Sequence, residues 1–264
     1  MSCTSNLSQS PEYRSFRSSV PLKVIIVDKD NTKEWKLYDC GPKTVRCPLF
    51  CLPPASGTAD IFFKQALALS AKGIRVISAE PPAYWNIRDF CEGFRKLLDH
   101  LGLDRIHIFG PSLGELLLLA IYHNLCGLVI TSYSLKSSIR IVIQRDRLIH
   151  IFIVRISFQL ESIPQTDLAS RLTLNCHRGY VQAHKLVALP VTIIDVFDEC
   201  ALSGNVREEL CKCYPNAKLA HLKSGGNFPY LSRYGEVNLH LQIHLRQFDD
   251  SPFAASERPL INRS

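Results

Sequence analysis

The sequence predicts an α/β fold: an eight-stranded, mostly parallel sheet with helices on both faces. Short runs rich in Val and Ile alternate along the chain with longer segments of helical apolar spacing, the order produced by strand–helix–strand units. Two strand-like runs at the start are joined by Asp28-Lys-Asp-Asn31, which supplies turn chemistry and implies an antiparallel hairpin at one edge. Another strand-like run leads directly into Gly110-Pro-Ser112-Leu-Gly114. That is the Gly-x-Ser-x-Gly of a strained strand-to-helix turn, the elbow that holds a serine up for attack.

Residues 1–18 are polar and Ser-rich and read as a loose tail. Val20 to Val27 and Glu34 to Asp39 form the hairpin, and Pro48 to Leu52 is a short apolar strand ending in the loop Pro53-Pro-Ala-Ser-Gly-Thr58. Asp60 to Lys72 has helical spacing and stops at Gly73. Strand Ile74 to Ser78, helix Ile87 to Leu101 with Gly102 after it, and strand Arg105 to Phe109 follow. Helix Leu113 to His123, strand Gly127 to Thr131 and, after a break, strand Val191 to Val196 continue the alternation. Helix Gly204 to Cys213, strand Lys218 to Leu222 and helix Val237 to Phe248 close it.

Residues 135–162 break the pattern. They are dense in β-branched residues and arginine, sit where folds of this build insert a cap, and are short for one. The expected organisation is therefore a core over 19–134 and 163–250, a truncated or divergent cap segment over 135–162, and a C-terminal tail over 251–264.

Bulk properties exclude several functions. At 264 residues with 46% apolar content, the chain can bury one sizeable core. The formal charge of +7 is concentrated: Lys136, Arg140, Arg145, Arg147 and Arg155 face Asp146 alone within the odd segment. Such a cluster reads first as a solvated face, and second as a patch for anionic lipid or an acidic partner. No basic stripe with interleaved aromatics recurs elsewhere, so nucleic acid is not an expected partner. No apolar run reaches the roughly 18 residues of a membrane span, which leaves peripheral contact as the expected membrane mode. The ten cysteines include no Cys-x-x-Cys pair, and no signal sequence opens the chain. They read as reduced thiols of a cytoplasmic protein, with no metal and no cofactor expected.

The elbow defines the expected site. Ser112 is its nucleophile position. The N–H of Leu113 and an N–H near Ala55 or Ser56 would be the oxyanion donors. Chain order on such folds is serine, acid, histidine. The acid is expected just after strand 191–196, at Asp198 or Glu199. The histidine is expected after strand 218–222, where Ser224-Gly-Gly-Asn227-Phe-Pro229 carries Asn227 instead. An amide has no titrating base near neutral pH, so it cannot take the serine's proton. His184 and His221 read as structural.

The strings Leu52-Pro-Pro-Ala-Ser-Gly-Thr-Ala-Asp60, Leu168-Ala-Ser-Arg-Leu-Thr-Leu-Asn-Cys176 and Ala220-His-Leu-Lys-Ser-Gly-Gly-Asn-Phe-Pro-Tyr230 resemble the maspardin family of α/β-hydrolase-fold proteins. The resemblance spans about residues 10–130 and 160–250. It implies an α/β-hydrolase fold kept without its triad. It also implies a binding or adaptor role toward a receptor cytoplasmic tail, that of a T-cell coreceptor, and association with endosomal and trans-Golgi membranes. Asn227 in the histidine position fits the family pattern. Glu115 after the elbow and the poorly matching stretch 132–162 depart from it. The alternative expectation is a weak serine esterase using Ser112 with an unconventional base.

Overall fold

Strands β1 (Lys23–Ile26), β2 (Glu34–Cys40), β3 (Leu49–Cys51), β4 (Val76–Glu80), β5 (Ile106–Pro111), β6 (Leu125–Thr131), β7 (Val191–Val196) and β8 (Lys218–Leu222) form one sheet. Their order is β1-β2-β4-β3-β5-β6-β7-β8. This is a computed structural model, and it describes residues 10–111, 125–131, 163–176, 189–198, 212 and 214–257. Pairing is antiparallel at β1–β2 and β2–β4 and parallel elsewhere. β2 alone therefore runs against the rest, and the loops after the other seven strands emerge at one edge. An eight-stranded, mostly parallel sheet with an antiparallel edge is what the alternation of elements and the leading hairpin predict.

Two-sided burial follows from the two-residue side-chain period of a strand. In the central strands Phe50, Leu52, Ile77 and Ile108 pack on one face, against Phe90, Phe94 and Leu97 of helix α3 (Ile87–Leu101). Leu49, Cys51, Val76 and Phe109 pack on the other face, with helices α1 (Pro11–Ser19), α2 (Phe63–Ser70) and α6 (Tyr234–Arg246). Helix α4 (Gln165–Cys176) and the short α5 (Pro229–Ser232) complete the described helices.

Helix α3 has the limits that the sequence predicts. Asn86 caps its start by accepting from the Asp89 N–H at 2.8 Å, and Gly102 ends it in the left-handed conformation at φ 63°. Inside α3, Gly93 has a packing role. A Cβ there would lie 1.9 Å from the Tyr84 hydroxyl oxygen. That hydroxyl accepts from the Trp35 indole N–H at 3.2 Å, and Trp35 is fully buried.

Three expectations need correction. Residues 11–19, expected in a loose tail, form α1. Ser10 caps it by accepting from the Tyr13 N–H, Pro11 starts it, and Phe16 is buried against Tyr38 with ring centroids 4.8 Å apart. The fourth strand begins at Val76, not Ile74, because residues 73–75 pair with the C-terminus. There Arg75 N–H donates to Ala255 O, Glu257 N–H donates to Gly73 O, and Ile74 bridges Ser256. Residues 251–257 are thus a bound strap rather than a tail, and Ala255 is buried. The 135–162 segment with its basic cluster, the helices at 113–123 and 204–213, and His184 lie outside the described residues. Among the described residues, no helix is long and apolar enough to cross a membrane.

The strap is held by a buried histidine. His107 Nε2 lies 2.8 Å from the Phe253 carbonyl, so that nitrogen carries the proton and donates. His244, with its ring centroid 6.5 Å away, pairs through Nδ1 with the Thr192 hydroxyl at 2.8 Å. His107 Nδ1 and His244 Nε2 have no partner among the described residues. Burial pushes the pKa of His107 down to about 4. Burial, then the neighbouring His107 and Lys218 charges, pushes His244 down to about 3.

Two tests follow from this packing. Gly93→Ala should displace Tyr84 and cost about 1–3 kcal/mol, the usual range for overpacking. Gly235→Ala on α6, where a Cβ meets nothing within 4 Å, should be neutral or stabilising; thermal denaturation compares the two. Acid should also weaken the fold. Below the ordinary histidine pKa of about 6.5, the unfolded chain takes up protons that folded His107 and His244 refuse. Stability then falls as pH drops from about 6.5 toward 4, by about 1.4 kcal/mol per pH unit per histidine. Urea midpoints measured across that window should have a pH slope steeper by about two protons than those of His107→Gln/His244→Gln.

Candidate functional site at the C-terminal edge of the sheet

Parallel strands of this kind gather ligand-binding loops at their C-terminal ends. β5 ends at Pro111, immediately before Ser112, which with Leu113 lies outside the described residues. The approach to the elbow is tight. Leu52 N–H donates to the Phe109 carbonyl at 2.9 Å, and a Cβ on Gly110 would stand 2.7 Å from the Leu52 carbonyl oxygen. No side chain fits at Gly110, which accounts for the first glycine of the motif.

The loop after β3 lies beside that strand end. Gly57 N–H donates to Pro54 O at 2.8 Å and closes a tight turn. Ala55 is buried and Ser56 half-buried. Their N–H groups, the expected oxyanion donors, donate to no described residue.

That loop is gripped by two residues that the sequence reading did not single out. Arg171 of α4, with its side chain 2% exposed, pairs Nη2 with Glu80 Oε1 at 2.9 Å. It also donates to Pro81 O at 3.0 Å, to Gly57 O at 2.9 Å and, at the outer limit, to Ala55 O at 3.5 Å. The other Glu80 oxygen accepts from the Ala59 N–H at 3.3 Å. The available signal was a lone acid closing the apolar run Val76-Ile-Ser-Ala-Glu80. A charge at the end of a buried strand needs a partner.

Across the edge, the acid and histidine positions meet. The Asp198 carboxylate accepts from the Gly225 N–H at 2.9 Å and from the Gly226 N–H at 3.1 Å. Both glycines have positive φ, 154° and 54°, and a Cβ on Gly225 would press on Pro229 and Val196 at 3.0 and 3.1 Å. Only glycine suits this turn. Asn227 follows at once and is half-buried. Of the two acids that the sequence left open, Asp198 is the one found on this loop, while Glu199 lies outside the described residues.

The histidines with described partners are engaged elsewhere. His221 projects from β8 and stacks on Phe197, with centroids 5.1 Å apart and planes 8° apart. His107 is the second residue of β5, four residues before Pro111, or about 13 Å at strand rise. His244 is tied to Thr192, likewise at the start of its strand. Among the described residues, no group of three or more His, Cys, Asp or Glu side chains could hold a metal ion.

The chain is 48% identical to maspardin of Danio rerio over 284 aligned positions, covering 96% of this chain and 91% of the relative. Maspardin of Homo sapiens is 47% identical, covering 96% and 92%. The alignments are longer than the 264-residue chain, so this chain carries gaps within them. No protein-family model matches. Among solved structures, a carboxylesterase of the thaumarchaeon Nitrososphaera gargenis superposes with TM-score 0.68 at 17% identity, covering 86% of this chain and 100% of its own. An enol-lactonase from Burkholderia xenovorans gives 0.64 at 15%, covering 85% and 100%. At such identities the likeness is one of fold.

The latch between Asp198 and the glycine turn can be tested directly. Asp198→Asn exchanges a charged acceptor for a weaker neutral one, a loss of about 1–3 kcal/mol. Hydrogen–deuterium exchange at the Gly225 and Gly226 amides should accelerate about tenfold or more. Unchanged exchange would mean that the carboxylate does not hold the turn.

Proposed function

Because the chain belongs to the maspardin family of α/β-hydrolase-fold proteins, we propose that it is a non-catalytic binding or adaptor protein. Its proposed partner is a receptor cytoplasmic tail, that of a T-cell coreceptor. Its proposed setting is the cytoplasm, in intracellular signalling or in endosomal and trans-Golgi trafficking, with peripheral contact to those membranes.

One observation carries the non-catalytic reading: Asn227 stands on the loop that Asp198 holds, where the fold places its histidine. Ser112 needs a base to become a nucleophile near neutral pH, and such assistance typically supplies about 10²–10⁴-fold in rate. An asparagine amide supplies none. His107, near the start of β5, and His244, on α6 beside the start of β7, do not substitute, being buried at the opposite end of the sheet. What the described residues supply is a sheet edge with the tight approach at Gly110 and a loop whose Ala55 and Ser56 N–H groups donate to no described residue, which suits recognition rather than turnover.

The purified protein should therefore hydrolyse short acyl esters such as p-nitrophenyl butyrate no faster than its Ser112→Ala variant. Asn227→His alone should not restore turnover. The Asp198 carboxylate already serves the glycine N–H groups, and Glu115 adds negative charge beside the elbow, which opposes an oxyanion. Ester hydrolysis that vanishes in Ser112→Ala would instead establish the weak-esterase reading.

A further inference from the structure

We propose that the outer edge of β1 is a pairing surface for a second copy of this chain, joined antiparallel about a two-fold axis at Ile25. This goes beyond the proposed function and does not depend on it.

The register of the hairpin decides which backbone groups face outward. β1 is the outer strand of the sheet and pairs with β2 alone. Val27 N–H donates to Lys33 O at 3.2 Å, in the same register as Ile25 with Trp35 and Lys23 with Leu37. Antiparallel pairs alternate between hydrogen-bonded and non-hydrogen-bonded. Residues 23, 25 and 27 therefore bond to β2, while Val24 and Ile26 direct their N–H and C=O groups outward. Among the described residues, nothing bonds those outward groups.

The side chains along that edge are apolar. Leu22, Val24 and Ile26 share one face of the strand, and they are 44%, 52% and 43% exposed. Ile25, on the other face, is buried in the core. Edge strands are commonly guarded by a charge, a proline or a bulge. Here Pro21 stops short of the outward groups at 24 and 26. The one charged residue of β1, Lys23, is on the face opposite the stripe and pairs with Asp39 at 3.6 Å.

A second copy fits this edge because the edge is complementary to itself. With the axis at Ile25, Val24 of each copy faces Ile26 of the other, and each such pair exchanges both of its N–H···O bonds. The same operation sets a valine beside an isoleucine on one face, at the roughly 4.5–5.5 Å spacing of cross-strand neighbours. That is the isologous contact of a two-fold dimer. Charge agrees with it. The antiparallel register lays the net acidic turn Asp28-Lys29-Asp30 of one copy against the chain entering β1 in the other, which carries Arg17 and Lys23. One short strand pair and one apolar stripe fall below a standard interface, so the dimer should dissociate at about 10–100 µM.

Sedimentation velocity on the full chain, from about 1 to 500 µM, should show a monomer passing reversibly into a dimer. Val24→Glu and Ile26→Lys each set a charge against an apolar side chain of the other copy, and each should weaken association at least about tenfold. The double variant Val24→Glu/Ile26→Lys opposes the two new charges across the axis and should recover to within about threefold of the parent. Amide exchange gives a second readout. At high concentration the Val24 and Ile26 amides should slow, whereas the Ile25 amide, already bonded to β2, should not. Both substituted positions are exposed, so thermal denaturation should show the fold kept; if Val24→Glu does not fold, Ile26→Lys and the amide pattern decide. A parent that stays monomeric over that range overturns the inference. So does association that both single variants leave unchanged, which would place the interface elsewhere. A double variant as weak as the single ones overturns the two-fold register. A dimer that forms only after residues 1–9 are removed would show that the chain covers this edge itself, and overturns the inference for the full chain.

Discussion

Burial of both faces of the central strands is the constraint on which the rest depends. β3, β4 and β5 place successive side chains on opposite faces, and nearly all of them are buried. A sheet so placed needs a helical layer on each side, and parallel pairing favours one because a parallel crossover usually runs through a helix, as α2 and α3 do here. The same parallel order sends the loops after seven strands to one edge. The site is therefore a by-product of how the core is covered. Its loops come from distant parts of the chain, and the register of the sheet brings them to the same edge.

Much of this was legible in the residues, for physical reasons. Short apolar runs between glycines and prolines read as buried strands, and α3 carried a start signal, Asn86, and a stop signal, Gly102. What escaped the sequence was cross-chain pairing. The helix at residues 11–19 looks polar, and long-range contacts fix it: Phe16 packs on Tyr38, and Tyr13 packs on Phe63 and donates to Asp60. The strap at 251–257 has no strand pattern and is ordered by backbone bonds to residues 73–75 and by one histidine. In the candidate site, the motif around Ser112, the acids at 198–199 and Asn227 are local patterns that a sequence can display, whereas the grip of Arg171 on a loop more than a hundred residues away leaves no local trace.

The two halves of the candidate site follow one rule. On each, a charged side chain holds the backbone of a loop rather than another reactive side chain. Arg171 and Glu80 take backbone groups of the loop after β3, and Asp198 takes the two glycine N–H groups before Asn227. In a working triad the acid's chief duty is to orient an imidazole. Here the Asp198 carboxylate bonds to the turn itself, through the Gly225 and Gly226 N–H groups. The conformation of that turn therefore does not depend on which side chain stands at position 227.

The C-terminal strap bears on how the protein can be handled. Its carbonyls complete the hydrogen bonding of Arg75 and His107, and Ala255 plugs the gap beside Ile74. Cutting the chain back to the end of α6 would strand a buried imidazole donor and open the floor of the sheet, at the end opposite the crevice. Fusion partners or affinity tags at this terminus therefore belong beyond Glu257, and a shortened version should be distrusted as a stand-in for the whole.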